Sequence, residues 1–368
     1  MKRLIASGWL LITLSGIFGQ QNIMDHPATL IKVENCLYCI YGLEIDEAVR
    51  IQAELQKMYP DHPVSYFLKA MIIYWVNYPL SPDDPLVKKY ERNIDLAVKK
   101  STFLMNNKKT LMEGIFFDMH ARAFRCMYWA DNGKPVKVLG DLDNLYRNTM
   151  KGIEYKEIFN EFYFSSGLYN YYVQAYVDMH PVYKPIASLF RKGNKTEGIK
   201  EIKLAIDNGL FIKYEAMLFM TLLQLYYENN LNLAENYIEV LCNNFPENNY
   251  YLAIYLNILL HNKKYKNAGT LSEKLENNKG PFEQMIHAFV TGFVSENNES
   301  NYRKAIIYYK KALLLAESLG PVADLYASIC YAGLARISET KKDYKSAKKY
   351  WHLSKQKSRY DFIFEFQR

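Results

Sequence analysis

The stretch NYRKAIIYYKKAL (residues 301–313) and the stretch DYKSAKKYWHLSK (residues 343–355) share the pattern that decides the fold. In each, a small residue is followed by an aromatic residue four positions later and by another small residue seven positions later: Ala305, Tyr309 and Ala312, then Ala347, Trp351 and Ser354. Residues at these spacings lie on one face of an α-helix. Small side chains on that face let a second helix approach to about 8–9 Å. We therefore predict that each stretch is a helix that crosses its neighbour closely.

The same small residue recurs at the start of other amphipathic runs along the chain. Its occurrences are Ala48, Ala97, Gly198, Ala234, Ala268, Ala305 and Ala347. The last five are separated by 36, 34, 37 and 42 residues. Twelve positions after two of them stands a proline, Pro60 after Ala48 and Pro246 after Ala234. A period of this size is typical of repeat proteins, in which stacked helix pairs bury a continuous core.

This pattern resembles the tetratricopeptide repeat, a 34-residue helix–turn–helix unit. Upstream of Ala347, four residues fall on the first-helix positions of that repeat: Tyr331, Leu334, Ala335 and Ser338. The resemblance covers more than half of the chain, and it is weaker where Ile238 replaces the aromatic residue and where Ser272 and Leu275 follow Ala268. The segment 167–202 also resembles exported repeat proteins of Bacteroidota-type bacteria and, more faintly, a eukaryotic tetratricopeptide family linked to inclusion-body clearance. The resemblance implies a scaffold and names no ligand.

The remaining sequence is also helical in pattern. Apolar residues recur at helical spacing, as in Leu218, Leu222 and Leu225, and runs that alternate apolar and polar residues are nearly absent. We predict an all-α protein in which residues 20–368 form one α-solenoid of about 14–16 helices, paired antiparallel and wound into a right-handed superhelix with a concave groove. Residues 101–195 are expected to form longer, irregular helices, and residues 343–368 a capping helix and a tail.

The first nineteen residues have the pattern of a secretory signal peptide. Lys2 and Arg3 precede an uncharged, mostly apolar run from Leu4 to Phe18, and Gly19 is a small residue at the expected cleavage point. An uncleaved anchor is the alternative, although a bilayer-spanning helix needs about 20 residues. The pattern predicts an exported protein, periplasmic or secreted. Without Lys2 and Arg3 the net charge falls from +7 to +5, and no basic tract predicts nucleic-acid binding.

The chain has five cysteines in 368 residues. This number is small and odd, so it does not indicate a disulfide framework. Cys36 and Cys39 form a C-x-x-C pair. A zinc site would need a second pair, and a haem attachment would need a histidine at position 40, where an isoleucine stands. We interpret the two cysteines as small apolar helix positions, with a local disulfide as the alternative.

Sequence motifs for catalysis are missing. The chain contains no H-E-x-x-H, no G-x-x-x-x-G-K-[ST] and no G-x-S-x-G motif. Asp118 and His120 stand two positions apart, on different faces of a helix, and Asp141 and Asp143 have the same spacing, so neither pair predicts a metal site. Glu113 could join Asp118 on a metal only with ligands from elsewhere in the chain. We expect no enzymatic activity, no cofactor and no metal.

One helical run, around residues 162–176, is unusually aromatic. Tyr169, Tyr172 and Tyr176 follow helical spacing, and Ser165, Ser166 and Gly167 precede them. Tyrosine suits a binding surface because its ring supplies contact area while its hydroxyl orients a ligand. Packing of these rings into the core is the alternative, and the small residues would admit either a neighbouring helix or a ligand. The turn at 191–195 carries cations, which we interpret as a solvated loop.

Together these features predict a non-enzymatic scaffold of the cell envelope or exterior. Its partner would be a protein or peptide held in the groove, with Tyr169, Tyr172 and Tyr176 as the candidate binding residues. The alternative is a carbohydrate-binding accessory protein of an outer-membrane uptake system, which would also use repeat helices and aromatic platforms. Such proteins usually carry a cysteine directly after the signal peptide, whereas the first cysteine of this chain is Cys36.

Overall fold

The structure, a computed structural model, describes residues 22–179 and 181–357. The signal peptide expected at residues 1–19 and the tail beyond residue 357 lie outside these described residues. Within them the regular secondary structure is entirely helical, which confirms the all-α prediction. Fifteen helices have 13 residues or more, one has eight residues and one has four.

The α-helices are numbered in chain order. They are α1 (Pro27–Tyr41), α2 (Ile45–Met58), α3 (Pro63–Val76), α4 (Leu86–Met105), α5 (Leu111–Asp131), α6 (Leu139–Tyr155), α7 (Phe162–Met179), α8 (Lys184–Ala187), α9 (Lys195–Asn208), α10 (Lys213–Tyr226), α11 (Leu231–Asn244), α12 (Asn249–His261), α13 (Tyr265–Ser272), α14 (Pro281–Asn297), α15 (Tyr302–Leu319), α16 (Asp324–Thr340) and α17 (Tyr344–Lys357).

Consecutive helices pack against each other along the whole described chain, as in a helical solenoid. They form eight pairs: α1 with α2, α3 with α4, α5 with α6, α7 with α9, α10 with α11, α12 with α13, α14 with α15, and α16 with α17. We call the earlier member of each pair its first helix and the later member its second helix. Most pairs are joined by short turns, and short connections between packed helices favour antiparallel neighbours.

The turn between the two helices has the same backbone in five pairs. One residue there has a positive φ between 51° and 61°: Leu43, Asn229, Lys263, Ser300 and Lys342. Each stands five positions before a small residue of the repeat, Ala48, Ala234, Ala268, Ala305 or Ala347. A left-handed residue at this point ends the first helix and reverses the chain. The period seen in the sequence is therefore also a period of the backbone.

The small residues of the sequence pattern are all buried on second helices. At Gly198 on α9, a Cβ would lie 2.7 Å from the Gly167 carbonyl oxygen of α7, so the two helices approach closely there. The two aromatic residues of the pattern differ in burial, because Trp351 is half-buried. Tyr309 is fully buried between Gly292 of α14 and Gly333 of α16. This packing explains why the pattern alternates small and aromatic residues.

The first helices of the two halves of the chain meet each other through large rings. The Tyr41 ring of α1 lies 5.5 Å from Tyr214 of α10, and the Trp75 ring of α3 lies 5.7 Å from Tyr250 of α12. Asn248, before α12, donates a hydrogen bond of 3.0 Å to the Tyr41 carbonyl. Side chains of the protein itself therefore occupy the space between these helices, where the expected groove would have been open.

One segment, Tyr302–Thr340, contains an 18-residue window with a mean hydropathy of 1.3, enough by length and composition for a membrane span. The segment is two helices rather than one. A turn at Gly320–Ala323 separates α15 from α16, and Gly320 has a φ of 65°. Most apolar residues of both helices pack within the array, whereas Ile307 and Leu314 of α15 are exposed. The window therefore falls on two packed helices joined by a turn.

Candidate functional site

Helix α7 carries the three tyrosines that the sequence singles out, and buried polar contacts hold it in place. Before its first turn, the buried Glu161 carboxyl accepts a hydrogen bond of 2.7 Å from the Leu210 amide, which precedes α10. In the middle, Ser166 and Asn170 donate hydrogen bonds of 2.7 and 2.8 Å to Glu201 of α9. The small residues of α7 thus admit a neighbouring helix, which was one of the two interpretations offered by the sequence.

The three tyrosines differ in exposure. Tyr169 and Tyr172 are half-buried, whereas 47% of Tyr176 is exposed. Because they stand three and four positions apart, they share one side of α7. The structure therefore places them as a single stripe, which we call the α7 tyrosine stripe, between the core and the solvent.

Tyr169 uses its hydroxyl within the protein. The hydroxyl donates a hydrogen bond of 2.7 Å to the Arg191 carbonyl, in the loop that leads to α9. Its ring lies 6.1 Å from Tyr146 of α6, and Tyr146 in turn lies 5.4 Å from Phe190. Burial, together with the neighbouring Tyr146, raises the pKa of Tyr169 to about 12. Tyr169 is therefore neutral at physiological pH and offers mainly its ring face.

Tyr172 is supported from behind by other rings. It lies 5.3 Å from Tyr171 and 5.3 Å from Tyr227, both in edge-to-face geometry. Tyr171 is fully buried and donates its hydroxyl proton to Glu228, which also pairs with Lys195 at 3.0 Å. Although burial opposes it, the hydrogen bonds from Tyr171 and Lys195 hold the pKa of Glu228 below its ordinary value. The ring of Tyr172 therefore packs against a buried ring, Tyr171, that is held by its own hydrogen bond.

The acidic residues considered as metal ligands belong to an ion-pair network instead. Asp118 and Asp141 are both buried, and Arg122 bonds both carboxylates, at 2.9 Å and 2.6 Å. Arg125 makes two further bonds to Asp141, each of 2.8 Å, and Asn148 donates to Asp118 at 2.7 Å. Neither arginine was expected from the sequence, although Arg122 stands four residues after Asp118 on the same helix face.

The other candidate ligands do not converge either. His120 bonds only the Phe116 carbonyl, at 2.8 Å, and burial lowers its pKa to about 4. Glu113 bonds His62 at 3.0 Å, and Asp143 pairs with Arg147 on the surface. In residues 22–179 and 181–357, no group of three or more His, Cys, Asp or Glu side chains is placed to hold a metal ion.

Cys36 and Cys39 are buried free thiols on α1. The Cys36 thiol lies 3.6 Å from the Ala48 carbonyl, and the Cys39 thiol lies 3.7 Å from a Glu44 carboxylate oxygen. Burial, helped by the negative charge of Glu44, raises the pKa of Cys39 to about 11. Both thiols are therefore protonated and unreactive at neutral pH, as expected of small core residues.

A small cavity lies where the two halves of the array meet. Its volume is about 200 Å³, and its wall includes Tyr78 of α3, Tyr250 of α12 and Tyr326 of α16. Lys357, paired with Asp324 at 2.7 Å, lies at its edge. Ligand pockets usually have about 300–1,000 Å³. This cavity is therefore smaller than a usual ligand pocket. Two open clefts are larger, one of about 510 Å³ between α1 and α2 and one of about 700 Å³ beside Trp129. The α7 tyrosine stripe is a candidate surface because of its own exposure and its fixed neighbours.

No model of a known protein family matches the chain, and a search of curated proteins finds no similar sequence.

Proposed function

We propose that the protein is a non-enzymatic scaffold of the tetratricopeptide type that binds a protein or peptide partner at the α7 tyrosine stripe. The observation that carries this proposal is the graded exposure of Tyr169, Tyr172 and Tyr176 along one side of a rigidly held helix. We further propose that the protein acts in the cell envelope or outside the cell, after export through the signal peptide of residues 1–19.

The physical support is the low entropy cost of binding to such a surface. Tyr172 packs on the buried Tyr171, and the hydroxyl of Tyr169 is already bonded, so these rings lose little freedom when a partner covers them. Tyrosine is also enriched among the residues that dominate binding energy at interfaces. The half-exposed rings therefore have the properties of preformed anchors.

The repeat type is supported by the backbone. In five pairs a residue with positive φ stands five positions before the small residue of the second helix. A right-handed superhelix of tetratricopeptide pairs would repeat one turn geometry in this way.

The test is affinity capture from envelope and secreted fractions, with the full chain as bait. The parallel bait carries Tyr172→Ala and Tyr176→Ala, and the matched control carries Tyr344→Ala, which removes a 69% exposed ring from α17. Circular dichroism and thermal unfolding establish that all three baits are folded. We expect a partner that the native and control baits retain and that the double variant binds at least tenfold more weakly, a loss of about 1.4 kcal/mol.

Two results would refute the proposal. A partner that binds the double variant as tightly as the native chain would remove the stripe from the interface. If immobilised glycans, rather than any protein, bind the native bait, the carbohydrate-binding alternative would replace it. Export is tested separately by the intact mass of protein recovered from the envelope, which should correspond to a chain that begins at Gln20.

A further inference from the structure

The loop between α7 and α9 carries the most exposed apolar side chains of the described chain. Leu189 is 82% exposed and Val182 is 78% exposed, the two largest exposed fractions among the large hydrophobic residues of the described chain. The short helical turns of this loop, at 181–183 and 184–187, pack mainly against each other and against α7. The loop therefore projects from the array instead of completing its core.

The flanks of this projecting loop are basic. Lys184, Arg191 and Lys192 are exposed, and the described structure shows no ion pair for any of them. Between Asp178 and Glu197 the sequence contains no acidic residue. The same short segment thus combines apolar side chains in solvent with cations for which the described structure shows no ion pair.

The base of the loop is fixed. The Tyr169 hydroxyl bonds the Arg191 carbonyl at 2.7 Å, and the Lys195 amide donates to the Gln174 side chain at 3.0 Å. Gly193 packs so closely on α7 that a Cβ there would overlap the Asn170 carbonyl. These contacts anchor the C-terminal end of the loop to α7.

We propose that the loop of residues 181–192 docks the protein on a bilayer that contains anionic phospholipid. Val182 and Leu189 would enter the boundary between headgroups and acyl chains, while Lys184, Arg191 and Lys192 would meet the anionic headgroups. Apolar side chains flanked by Lys and Arg are the composition of interfacial membrane anchors. Exposed apolar side chains with cations beside them fit the planar surface of an anionic bilayer.

The test is flotation of the full chain with two kinds of vesicle: phosphatidylcholine alone, and equimolar phosphatidylcholine and phosphatidylglycerol. We expect binding to the anionic vesicles, weaker binding to the neutral ones, and release at high salt because the ionic contacts are screened. Every variant below retains residues 1–21, so any contribution of that segment is the same in each comparison.

Two variants and two matched controls isolate the loop. The loop variants are Val182→Ser with Leu189→Ser, and Lys184→Gln with Arg191→Gln and Lys192→Gln. The controls are Ile307→Ser with Leu314→Ser on α15, which are 58% and 69% exposed, and Lys345→Gln with Lys348→Gln and Lys349→Gln on α17. Since each cation near an anionic surface contributes about 1 kcal/mol, the triple loop variant should lose roughly a hundredfold in partition coefficient. The apolar variant should lose about tenfold or more, and the controls should bind as the native chain does.

Unchanged binding of both loop variants would overturn the proposal, as would an equal loss in the controls. If Val182→Ser with Leu189→Ser leaves vesicle binding intact but lowers the molar mass in light scattering, the loop is instead an interface between two copies of the chain. The membrane proposal is independent of the proposed partner site. The double variant Tyr172→Ala and Tyr176→Ala should therefore still float with anionic vesicles.

Discussion

Replacement of Gly333 by alanine tests the packing that underlies the repeat. Gly333 lies in α16 against the ring of Tyr309, and an added Cβ would stand 2.5 Å from Cζ and 2.8 Å from the hydroxyl oxygen. Non-bonded heavy atoms prefer about 3.5–4.0 Å, so the ring or the helix would have to move by roughly 1 Å. The ring has little room, because Gly292 closes its other side and Glu296 accepts its hydroxyl proton at 2.6 Å.

The expected result is a net loss of about 1–2 kcal/mol in the free energy of unfolding. Overpacking of a core costs about 1–3 kcal/mol, and alanine in place of glycine inside a helix returns up to about 1 kcal/mol. The measurement is urea-induced unfolding followed by far-ultraviolet circular dichroism. Gly269→Ala in α13 is the control, because no atom lies within 4 Å of its added Cβ, so this variant should gain stability.

A second substitution makes this test specific to the ring. Tyr309→Leu removes the atoms that the new methyl group would meet, so its combination with Gly333→Ala should cost less than the sum of the two single changes, by about 1 kcal/mol or more. If Gly333→Ala is as stabilising as Gly269→Ala, or if the two costs simply add, the ring does not occupy the position between α14 and α16 described above.

Three further predictions concern buried charge and backbone. Burial raises the pKa of Glu215 to about 8, so between about pH 5 and 8 the folded chain holds a proton that the unfolded chain has lost. The free energy of unfolding should therefore fall as the pH rises from about 5 toward 8. Glu215→Gln should flatten that dependence in urea titrations at several pH values. Arg125→Met removes two hydrogen bonds from the buried Asp141 and should lower the free energy of unfolding by about 3 kcal/mol, whereas Arg147→Met, at an exposed pair, should leave the urea midpoint unchanged. Lys342 has a φ of 61°, so Lys342→Gly should raise the melting temperature, with a gain of up to about 1 kcal/mol.

The candidate site was only partly accessible to sequence reasoning. Helical spacing alone places Tyr169, Tyr172 and Tyr176 on one side of a helix. Which of those rings is exposed depends on Tyr146, Tyr227 and the loop after α7, and no local pattern connects them to α7. Arg125 was missed for a similar reason, because its partner Asp141 lies on the next helix, whereas Arg122 had a local signal in Asp118, four positions earlier.

The sequence by itself determined the all-helical class and the period of the repeat, because both are encoded within single helices and helix pairs. Ala305, Tyr309 and Ala312 express that local rule, and their burial follows from it. Tertiary structure alone decided that Tyr41 would meet Tyr214 and Trp75 would meet Tyr250, across more than 170 residues. Such contacts depend on small rotations that accumulate from one helix pair to the next, and no single pair specifies their sum.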